Sequence, residues 1–299
     1  MRGLLVLCMN TVRVPFGRVA IVGTGLIGGS WGLALKSCGF AGQIVGCDRP
    51  QVLARALECG AIDKSIPDLA PAVRDADLVI LAAPVAVIIE HLSSVKAAAS
   101  PQALVTDAGS TKRAILARAR DSFSRRPLFL GGHPLAGKEV SGIEHASATL
   151  FRESRYVLTP IEPEDLEDER VAAFRTLVEQ VGARPFVTDA ESHDRALAFL
   201  SHLPQLLATG LASLIADEDN RTAMPLELAA AGFRDMTRLA ESSYAVWRDV
   251  CLTNADNLTP ALDSLTRKLE DMKRQLDAGG LEHEFDEALR LRERWKQAR

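Results

Sequence analysis

The sequence predicts an α/β protein in which a doubly wound parallel sheet is followed by an all-α second domain. From residue 18 to about residue 187, short apolar runs rich in β-branched residues alternate with helical patterns. After Thr188 the strand patterns stop, and the rest of the chain shows only helical spacing. We therefore expect an N-terminal extension over residues 1–17, a sheet domain over 18–188 and a helical domain over 189–299.

The predicted strands are short and are separated by helices, as parallel strands require crossover connections. Strands are expected at residues 19–22, 44–47, 78–81, 104–106, 128–130, 156–158 and 185–187. Helices are expected at residues 28–37, 50–59 and 112–119, and in the second domain at 191–216, 225–240, 244–254 and 257–276.

The last predicted helix carries a narrow apolar seam. Its leucines and one methionine recur at steps of three and four: Leu258, Leu262, Leu265, Leu269, Met272 and Leu276. Such a seam fits either packing within the chain or an interface between two copies. We expect a homodimer that forms through the helical domain.

The composition disfavours several classes of partner. A net charge of −4 gives no electrostatic reason to bind nucleic acid or an anionic membrane. The five cysteines are scattered and include no C-x-x-C pair, so we expect neither a disulfide framework nor a metal site. No apolar run reaches the roughly 18 residues that cross a bilayer, and the N-terminal run is too short for a signal peptide. These features predict a cytoplasmic protein whose partner is a small molecule.

A glycine-rich segment follows the first predicted strand and opens the first helix, which is the context of a dinucleotide fingerprint. Gly23 allows the tight turn, Gly25 lets the backbone approach a pyrophosphate, and Gly28 permits close packing of helix on strand. The helix N-terminus faces the negative charge, and Leu26 and Ile27 are expected to contact the same ligand. The pattern predicts a Rossmann-like domain that binds a dinucleotide cofactor.

Asp48 ends the second predicted strand, 20 residues beyond Gly28. A carboxylate there accepts hydrogen bonds from the adenosine ribose and repels a 2′-phosphate, which favours NAD over NADP. The adjacent Arg49 could pair with a 2′-phosphate, so NADP stays possible. As an alternative, Asp48 caps the helix that begins near Pro50.

The next two strands bring further residues to the same edge of the sheet. Ala82 and Pro84 follow the third strand and are expected beside the cofactor. Ser110, Thr111 and Lys112 follow the fourth strand and place a hydroxyl and an amine near the nicotinamide end. Ser110 or Thr111 could instead cap the following helix.

His133 is the best candidate for a catalytic base among the six histidines. Hydride leaves a secondary alcohol only if the hydroxyl proton is taken, and an imidazole suits that task near neutral pH. Flanking glycines predict that His133 lies in a loop after the fifth strand. His193 and His202 are nine residues apart on one predicted helix, so they are expected to point to opposite sides and not to form a metal pair.

Several motifs resemble one family in its own order. Gly-Gly-His-Pro-Leu-Ala-Gly at 131–137, with Glu139 two residues later, resembles the catalytic loop of prephenate dehydrogenases, and residues 107–112 resemble their serine-bearing loop. In the helical half, the matching segments are 193–194, 201–204, 232–238 and 247–249. The resemblance runs from about residue 18 to residue 276.

The resemblance to prephenate/arogenate (cyclohexadienyl) dehydrogenases implies an activity. It is the oxidative decarboxylation of prephenate or L-arogenate with hydride transfer to NAD, which gives 4-hydroxyphenylpyruvate or L-tyrosine in tyrosine biosynthesis. By that resemblance His133 accepts the proton of the ring hydroxyl, Ser110 assists it, and Arg238 binds a substrate carboxylate. Glu139 shapes the pocket, and Asp235, three residues before Arg238, orients the arginine. Without the resemblance, Arg238 and Asp235 would be interpreted as a surface ion pair.

One departure from the family pattern leaves the substrate open. Gln205 stands where some members carry histidine, so a neutral amide is expected at that substrate contact, and prephenate and arogenate both remain possible. Trp247 is interpreted as core.

Two other functions compete with this one. A β-hydroxyacid dehydrogenase would require a lysine just after the domain boundary, but residues 188–216 contain none. A non-enzymatic dinucleotide-binding redox sensor leaves the His133 loop and Arg238 unexplained.

Overall fold

The computed structural model describes residues 15–123, 126–276 and 279–298. Most of the predicted N-terminal extension, residues 1–14, lies outside them. The end of that extension is fixed, because Phe16 is buried in the core and the Gly17 amide donates to Asp77 Oδ2 at 2.7 Å.

Within the described residues, eight strands form one sheet in the order β3-β2-β1-β4-β5-β6-β7-β8. The strands are β1 Arg18–Val22, β2 Gln43–Cys47, β3 Lys64–Ser65, β4 Leu78–Leu81, β5 Leu104–Asp107, β6 Leu128–Pro134, β7 Arg155–Pro160 and β8 Arg184–Val187. The strand order reverses beside β1, and in such sheets the ligand lies in the crevice at the carboxyl ends there. Only β3 was not predicted, because two residues are too few to show a periodic pattern.

The predicted parallel sheet is confirmed for β1 to β6, and the direction changes at one place. β7 runs antiparallel to β6, with Gly131 opposite Thr159, and β8 is parallel to β7. A parallel connection would need a crossover helix. The segment between β6 and β7 contains the short 3₁₀ turn Ile143–His145 in its place, so the chain turns back on itself.

Helices cover both faces of the sheet. They are α1 Leu26–Ser37, α2 Pro50–Glu58, α3 Leu69–Val73, α4 Val85–Ala98, α5 Arg113–Ser122 and α6 Glu169–Gln180. One core cluster joins α1, α2 and α6 to the sheet, and the other joins α3, α4 and α5. In the first, the Trp31 ring lies 5.2 Å from that of Phe151 and 5.6 Å from that of Tyr156. These layers leave the carboxyl edge of the sheet open to the second domain.

The second domain is helical, as predicted. Its helices are α7 Ala190–Leu197, α8 Leu203–Thr222, α9 Ala231–Thr237, α10 Tyr244–Thr253, α11 Ala255–Gln275 and α12 Glu282–Gln297. The predicted helix at 225–240 is shorter in the structure, because 3₁₀ turns form at Leu226–Leu228 and Arg238–Glu241. α12 was not predicted, since it is rich in charged residues and buries none of its side chains.

A π turn, Ala198–His202, joins α7 and α8 into one helical run of 33 residues, Ala190–Thr222. By length and composition this run could cross a membrane, so the expectation that the chain has no such stretch is wrong. Only 22% of its most apolar window is buried, and Phe199, Leu200 and Leu214 are exposed on it. An apolar face of this kind is covered either by lipid or by protein.

Candidate active site

A cavity of about 500 Å³ lies between the carboxyl edge of the sheet and the helical domain. Four residues that the sequence predicted for the site line it together: Ser110, His133, Glu139 and Gln205. Trp247 lines it as well, so its interpretation as core was incomplete. The cavity thus brings the serine loop, the histidine strand and the helical domain to one place.

His133 lies on a strand and not in a loop. β6 continues to Pro134, and His133 is opposite Val157 of β7. The prediction of a loop failed because two glycines in succession look like a turn in the sequence. Here they let neighbouring groups approach closely, since a Cβ on Gly132 would lie 2.5 Å from the Asp107 carbonyl oxygen. The strand holds the imidazole more rigidly than a loop would.

A buried ion pair connects the serine loop to this strand. Lys112 Nζ, fully buried, donates to the Asp107 carboxylate and to the Gly132 carbonyl oxygen at 2.7 Å. Asp107 also accepts the amides of Gly109 at 2.8 Å and Gly132 at 3.0 Å. Burial lowers the pKa of Lys112, while the charge of Asp107 acts in the opposite direction. The Lys112 amine therefore binds Asp107 and the strand, whereas the sequence analysis predicted it near the nicotinamide.

Asp194 on α7 caps helix α5. Its Oδ1 accepts the Lys112 amide at 2.7 Å, and its Oδ2 accepts the Arg113 amide at 2.9 Å. The alternative in which Ser110 or Thr111 caps this helix is therefore wrong, because a carboxylate from the second domain occupies that position. Thr111 Oγ1 instead lies 2.7 Å from Thr253 Oγ1, and Ser110 is left on the cavity wall.

His133 belongs to a chain of three buried side chains. Its Nδ1 lies 2.9 Å from His193 Nε2, and His193 Nδ1 lies 2.7 Å from Asp194 Oδ1. Burial lowers the pKa of His133 well below that of an exposed imidazole, and a positive charge on His193 or Lys112 acts in the same direction. His133 is therefore neutral near pH 7, which is the form that accepts a proton.

His202 also lines the cavity, contrary to the expectation that it points away from His193. Between the two residues the π turn changes the angular spacing of the helix, and a sequence pattern does not reveal such a turn. Burial lowers the pKa of His202 to about 4. Asn254 Nδ2 donates to the Asp194 carbonyl oxygen at 2.9 Å and lies 3.1 Å from His202 Nδ1. Neutral His202 therefore carries its hydrogen on Nε2.

Arg238 pairs with Glu139 across the two domains. Asp235 instead pairs with Arg234 at 3.2 Å. The prediction that Asp235 orients Arg238 is wrong, as is the alternative of a surface pair between them, because α9 ends at Thr237 and Arg238 begins a 3₁₀ turn. The buried Gln205 donates through Nε2 to the carbonyl oxygen of Leu239 at 2.8 Å and so anchors this turn.

The glycine-rich turn fits a dinucleotide. Gly23 has φ of +89°, and a Cβ there would lie 2.5 Å from the carbonyl oxygen of Ala82. A Cβ on Gly28 would lie 1.9 Å from the carbonyl oxygen of Gly23. A Cβ added to Gly25 would meet no atom within 4 Å, and α1 begins at Leu26 without a side-chain cap. Open space and free amides at a helix N-terminus suit a pyrophosphate.

Asp48 holds this turn in place. Its Oδ2 accepts the Thr24 amide at 2.7 Å, and its Oδ1 accepts the Arg49 amide at 2.7 Å. The capping alternative is wrong, because the N-cap of α2 is Arg49 and makes no side-chain cap bond. Oδ2 also accepts the Thr24 hydroxyl at 3.4 Å, which leaves a lone pair on Oδ1 for a ribose hydroxyl.

The other predicted cofactor residues lie around the turn. Leu26, Ile27 and Ala82 are partly exposed, Arg49 and Pro84 are exposed, and Pro84 is the N-cap of α4. Within the described part of the chain, no group of three or more histidine, cysteine or acidic side chains is placed to hold a metal ion.

Comparison with known proteins gives the same assignment over most of the chain. A family model described as prephenate dehydrogenase, nucleotide-binding domain, matches residues 31–187, and one described as prephenate dehydrogenase, dimerization domain, matches residues 189–291. The prephenate dehydrogenase of Lactococcus lactis is 33% identical over 281 residues, which cover 92% of this chain and 77% of the relative. The cyclohexadienyl dehydrogenase of Zymomonas mobilis is 32% identical, with 86% and 88% covered.

Solved structures agree. The prephenate dehydrogenase of A. aeolicus, in complex with hydroxyphenyl propionate and NAD+, has a TM-score of 0.82 and 29% identity, with 94% of this chain and 98% of that chain covered. Synechocystis arogenate dehydrogenase has a TM-score of 0.72 and 28% identity, with the same coverage. A 3-hydroxyisobutyrate dehydrogenase from Salmonella typhimurium shares the fold alone, at 14% identity and a TM-score of 0.56. This chain belongs to the prephenate dehydrogenase family.

Proposed function

We propose that this chain catalyses the oxidative decarboxylation of prephenate, L-arogenate or both, with NAD as the hydride acceptor, in tyrosine biosynthesis. The observation that carries the proposal is the position of a neutral His133 beside Ser110 and Gln205 in one cavity. That cavity lies at the edge of the sheet where the dinucleotide turn also ends. Its size suits a substrate with one ring and two acidic groups.

His133 acts as the base. When bound, NAD supplies the acceptor for the hydride that leaves the ring carbon. His133 Nε2 takes the hydroxyl proton, and the electron pair of the O–H bond forms the carbonyl as the hydride departs. Loss of the ring carboxylate as CO₂ then returns an electron pair to the ring oxygen, which takes the proton back from His133. Ser110 donates a hydrogen bond to the same oxygen and keeps it in line.

Arg238 binds a substrate carboxylate. In the free site it pairs with Glu139, so the substrate exchanges one carboxylate partner for another. We expect Arg238→Gln to raise KM by about 10- to 100-fold, the value of a charge-assisted hydrogen bond, with kcat changed only a few-fold. Initial rates at varied substrate concentration measure both constants. Arg234→Gln is the matched control, because Arg234 is exposed and pairs with Asp235. A lower kcat at unchanged KM would assign Arg238 to the chemical step.

Asp48 selects NAD over NADP. Asp48→Asn keeps an oxygen for the Thr24 amide but removes the negative charge that repels a 2′-phosphate. We expect the ratio of kcat/KM for NAD to that for NADP to fall by about tenfold, the equivalent of about 1.4 kcal/mol. An unchanged ratio would mean that Asp48 serves only the turn.

The functional unit is proposed to be a homodimer formed through the helical domain. Along the predicted seam, Leu258 is only 4% exposed and Leu265 and Met272 are half-buried, whereas Leu262, Leu269 and Leu276 are 38%, 51% and 62% exposed. Half of the seam residues are thus left exposed, and together with the exposed face of α7 and α8 they suit contact with a second copy. Sedimentation equilibrium is expected to give twice the chain mass, and a monomer at micromolar concentration would refute the dimer.

One assay tests the activity. Purified protein is mixed with NAD and either prephenate or L-arogenate, and the absorbance of reduced nicotinamide is followed. We expect reduction with at least one substrate, and the ratio of the two kcat/KM values gives the preference. If neither substrate is oxidised, the dinucleotide-binding sensor becomes the better account.

A further inference from the structure

The buried chain from His133 to Asp194 determines where its hydrogens lie. Burial would raise the pKa of Asp194, but hydrogen bonds from His193 and from the Arg113 and Lys112 amides hold it below its usual value. An ionised carboxylate only accepts hydrogen bonds. His193 therefore carries a hydrogen on Nδ1, which bonds to Asp194 at 2.7 Å.

The same reasoning fixes His133. Neutral His193 with its hydrogen on Nδ1 has a bare Nε2, which acts as an acceptor. His133 Nδ1, at 2.9 Å, must then donate to it. This leaves His133 Nε2 without a hydrogen, and that nitrogen is the one not engaged by His193. The base is thus in the tautomer that the chemistry needs before any substrate binds.

We propose that His193 and Asp194 are positioning residues that set this tautomer of His133 and receive its Nδ1 proton when the substrate hydroxyl proton arrives at Nε2. The second half of the statement rests on the proposed function. As the O–H bond breaks, its proton bonds to His133 Nε2, and the Nδ1 proton moves to His193 Nε2. His193 becomes the cation, beside Asp194. Both protons return when the ring oxygen regains its electron pair, so no proton is gained or lost.

The charges around His133 explain why the relay is needed. Lys112 from the start of α5, His193 from α7 and His202 from the π turn all face it, and a positive charge on any of them disfavours a second one on His133. A cation that stayed on His133 would be buried next to Lys112. When the charge moves to His193, it lies next to the Asp194 carboxylate, whose attraction is strong in a buried site.

The hydrogen positions are measured without substrate. Nitrogen-15 spectra of histidine-labelled protein distinguish the two neutral tautomers, and the His133 signals are identified by their loss in His133→Asn. We expect His133 in the Nδ1–H form. A wild-type His133 in the Nε2–H form would overturn the proposal, even if every variant below failed to fold.

Two substitutions separate setting the tautomer from taking the proton. In His193→Gln, the amide oxygen of the new side chain takes the place of imidazole Nε2. It accepts the hydrogen bond from His133 Nδ1–H and so keeps His133 in the same tautomer, but it cannot take the proton. His193→Leu removes this hydrogen-bond acceptor, so His133 is no longer held in the Nδ1–H tautomer. We expect kcat to fall by at least about tenfold in the first variant and further in the second, towards the loss expected for the base itself. The exposed His283→Gln is the matched control and keeps full activity.

The pH profile is the readout that a merely structural role would not change. Wild-type kcat/KM is expected to stay on its plateau while the buried pair of His133 and His193 is neutral. It falls only at lower pH, as the pair takes a proton. In His193→Gln the fall shifts to still lower pH, since no partner can carry the charge beside Asp194. An unchanged profile and kcat in His193→Gln would overturn the relay. Failure of both substrates in the wild type would refute the proposed function and leave the tautomer result standing.

Discussion

Replacing His133 with asparagine is expected to lower kcat by about 10²- to 10⁴-fold, while the Kd of the substrate changes little. Asparagine is small enough for the space on β6 but cannot take a proton at the cavity wall. Neither neighbouring imidazole replaces it, because His202 carries its hydrogen on Nε2 and His193 does not line the cavity. The loss therefore falls on the chemical step.

Single-turnover rates and equilibrium binding of the substrate in the presence of NAD check this prediction. His283→Asn, on the exposed face of α12, is the control for the substitution type. If His133→Asn weakened binding and left kcat intact, His133 would be a binding residue and Arg238 the better candidate for the chemistry.

The second large effect concerns stability. Lys112→Met is expected to lower the free energy of unfolding by about 3–5 kcal/mol, because it leaves the Asp107 carboxylate buried without its counter-charge. The loss extends to the site, since Lys112 also holds the carbonyl oxygen of Gly132, next to His133. Denaturation in urea measures this difference in the free energy of unfolding, provided that the dependence of that free energy on urea concentration is the same in both proteins.

A matched control is Lys64→Met, on the exposed strand β3, for which a change within about 0.5 kcal/mol is expected. If Lys112→Met lowered the free energy of unfolding as little as the control does, the ion pair of Lys112 and Asp107 would contribute little to stability beyond its hydrogen bonds to the backbone. Asp107→Asn with Lys112→Met should restore part of the loss, since a neutral pair replaces the stranded charge.

Local sequence patterns predicted most of the fold. Apolar strands such as β1 and β4 are buried on both faces and leave short apolar runs rich in β-branched residues, which are typical of parallel strands. The glycines around Gly25 identify the cofactor turn from their context. The antiparallel β7 was missed because strand direction depends on the connection and not on the strand's own residues. β3 was missed because two residues show no period, and α12 because its many charged residues obscured the helical spacing of Phe285 and Leu289.

The candidate site was predicted only in part, because local patterns reveal motifs but not contacts between distant residues. His133, Ser110, Glu139 and Gln205 were found through a loop motif or a resemblance, and they line one cavity. The roles of His193 and Asp194 depend on contacts between residues 60 positions apart or more, which spacing does not encode. His202 faces the cavity because of a π turn. The Asp107 and Lys112 pair had a signal, opposite charges five residues apart in a buried segment, but the lysine was assigned to the cofactor.

The most direct test of the account is a crystal structure of the protein with NAD and hydroxyphenyl propionate. The account predicts that His133 Nε2 lies about 2.6–3.2 Å from the ring hydroxyl, with the nicotinamide over the ring and Arg238 on the carboxylate. A ring hydroxyl bound elsewhere, with His133 turned away from the nicotinamide, would contradict it.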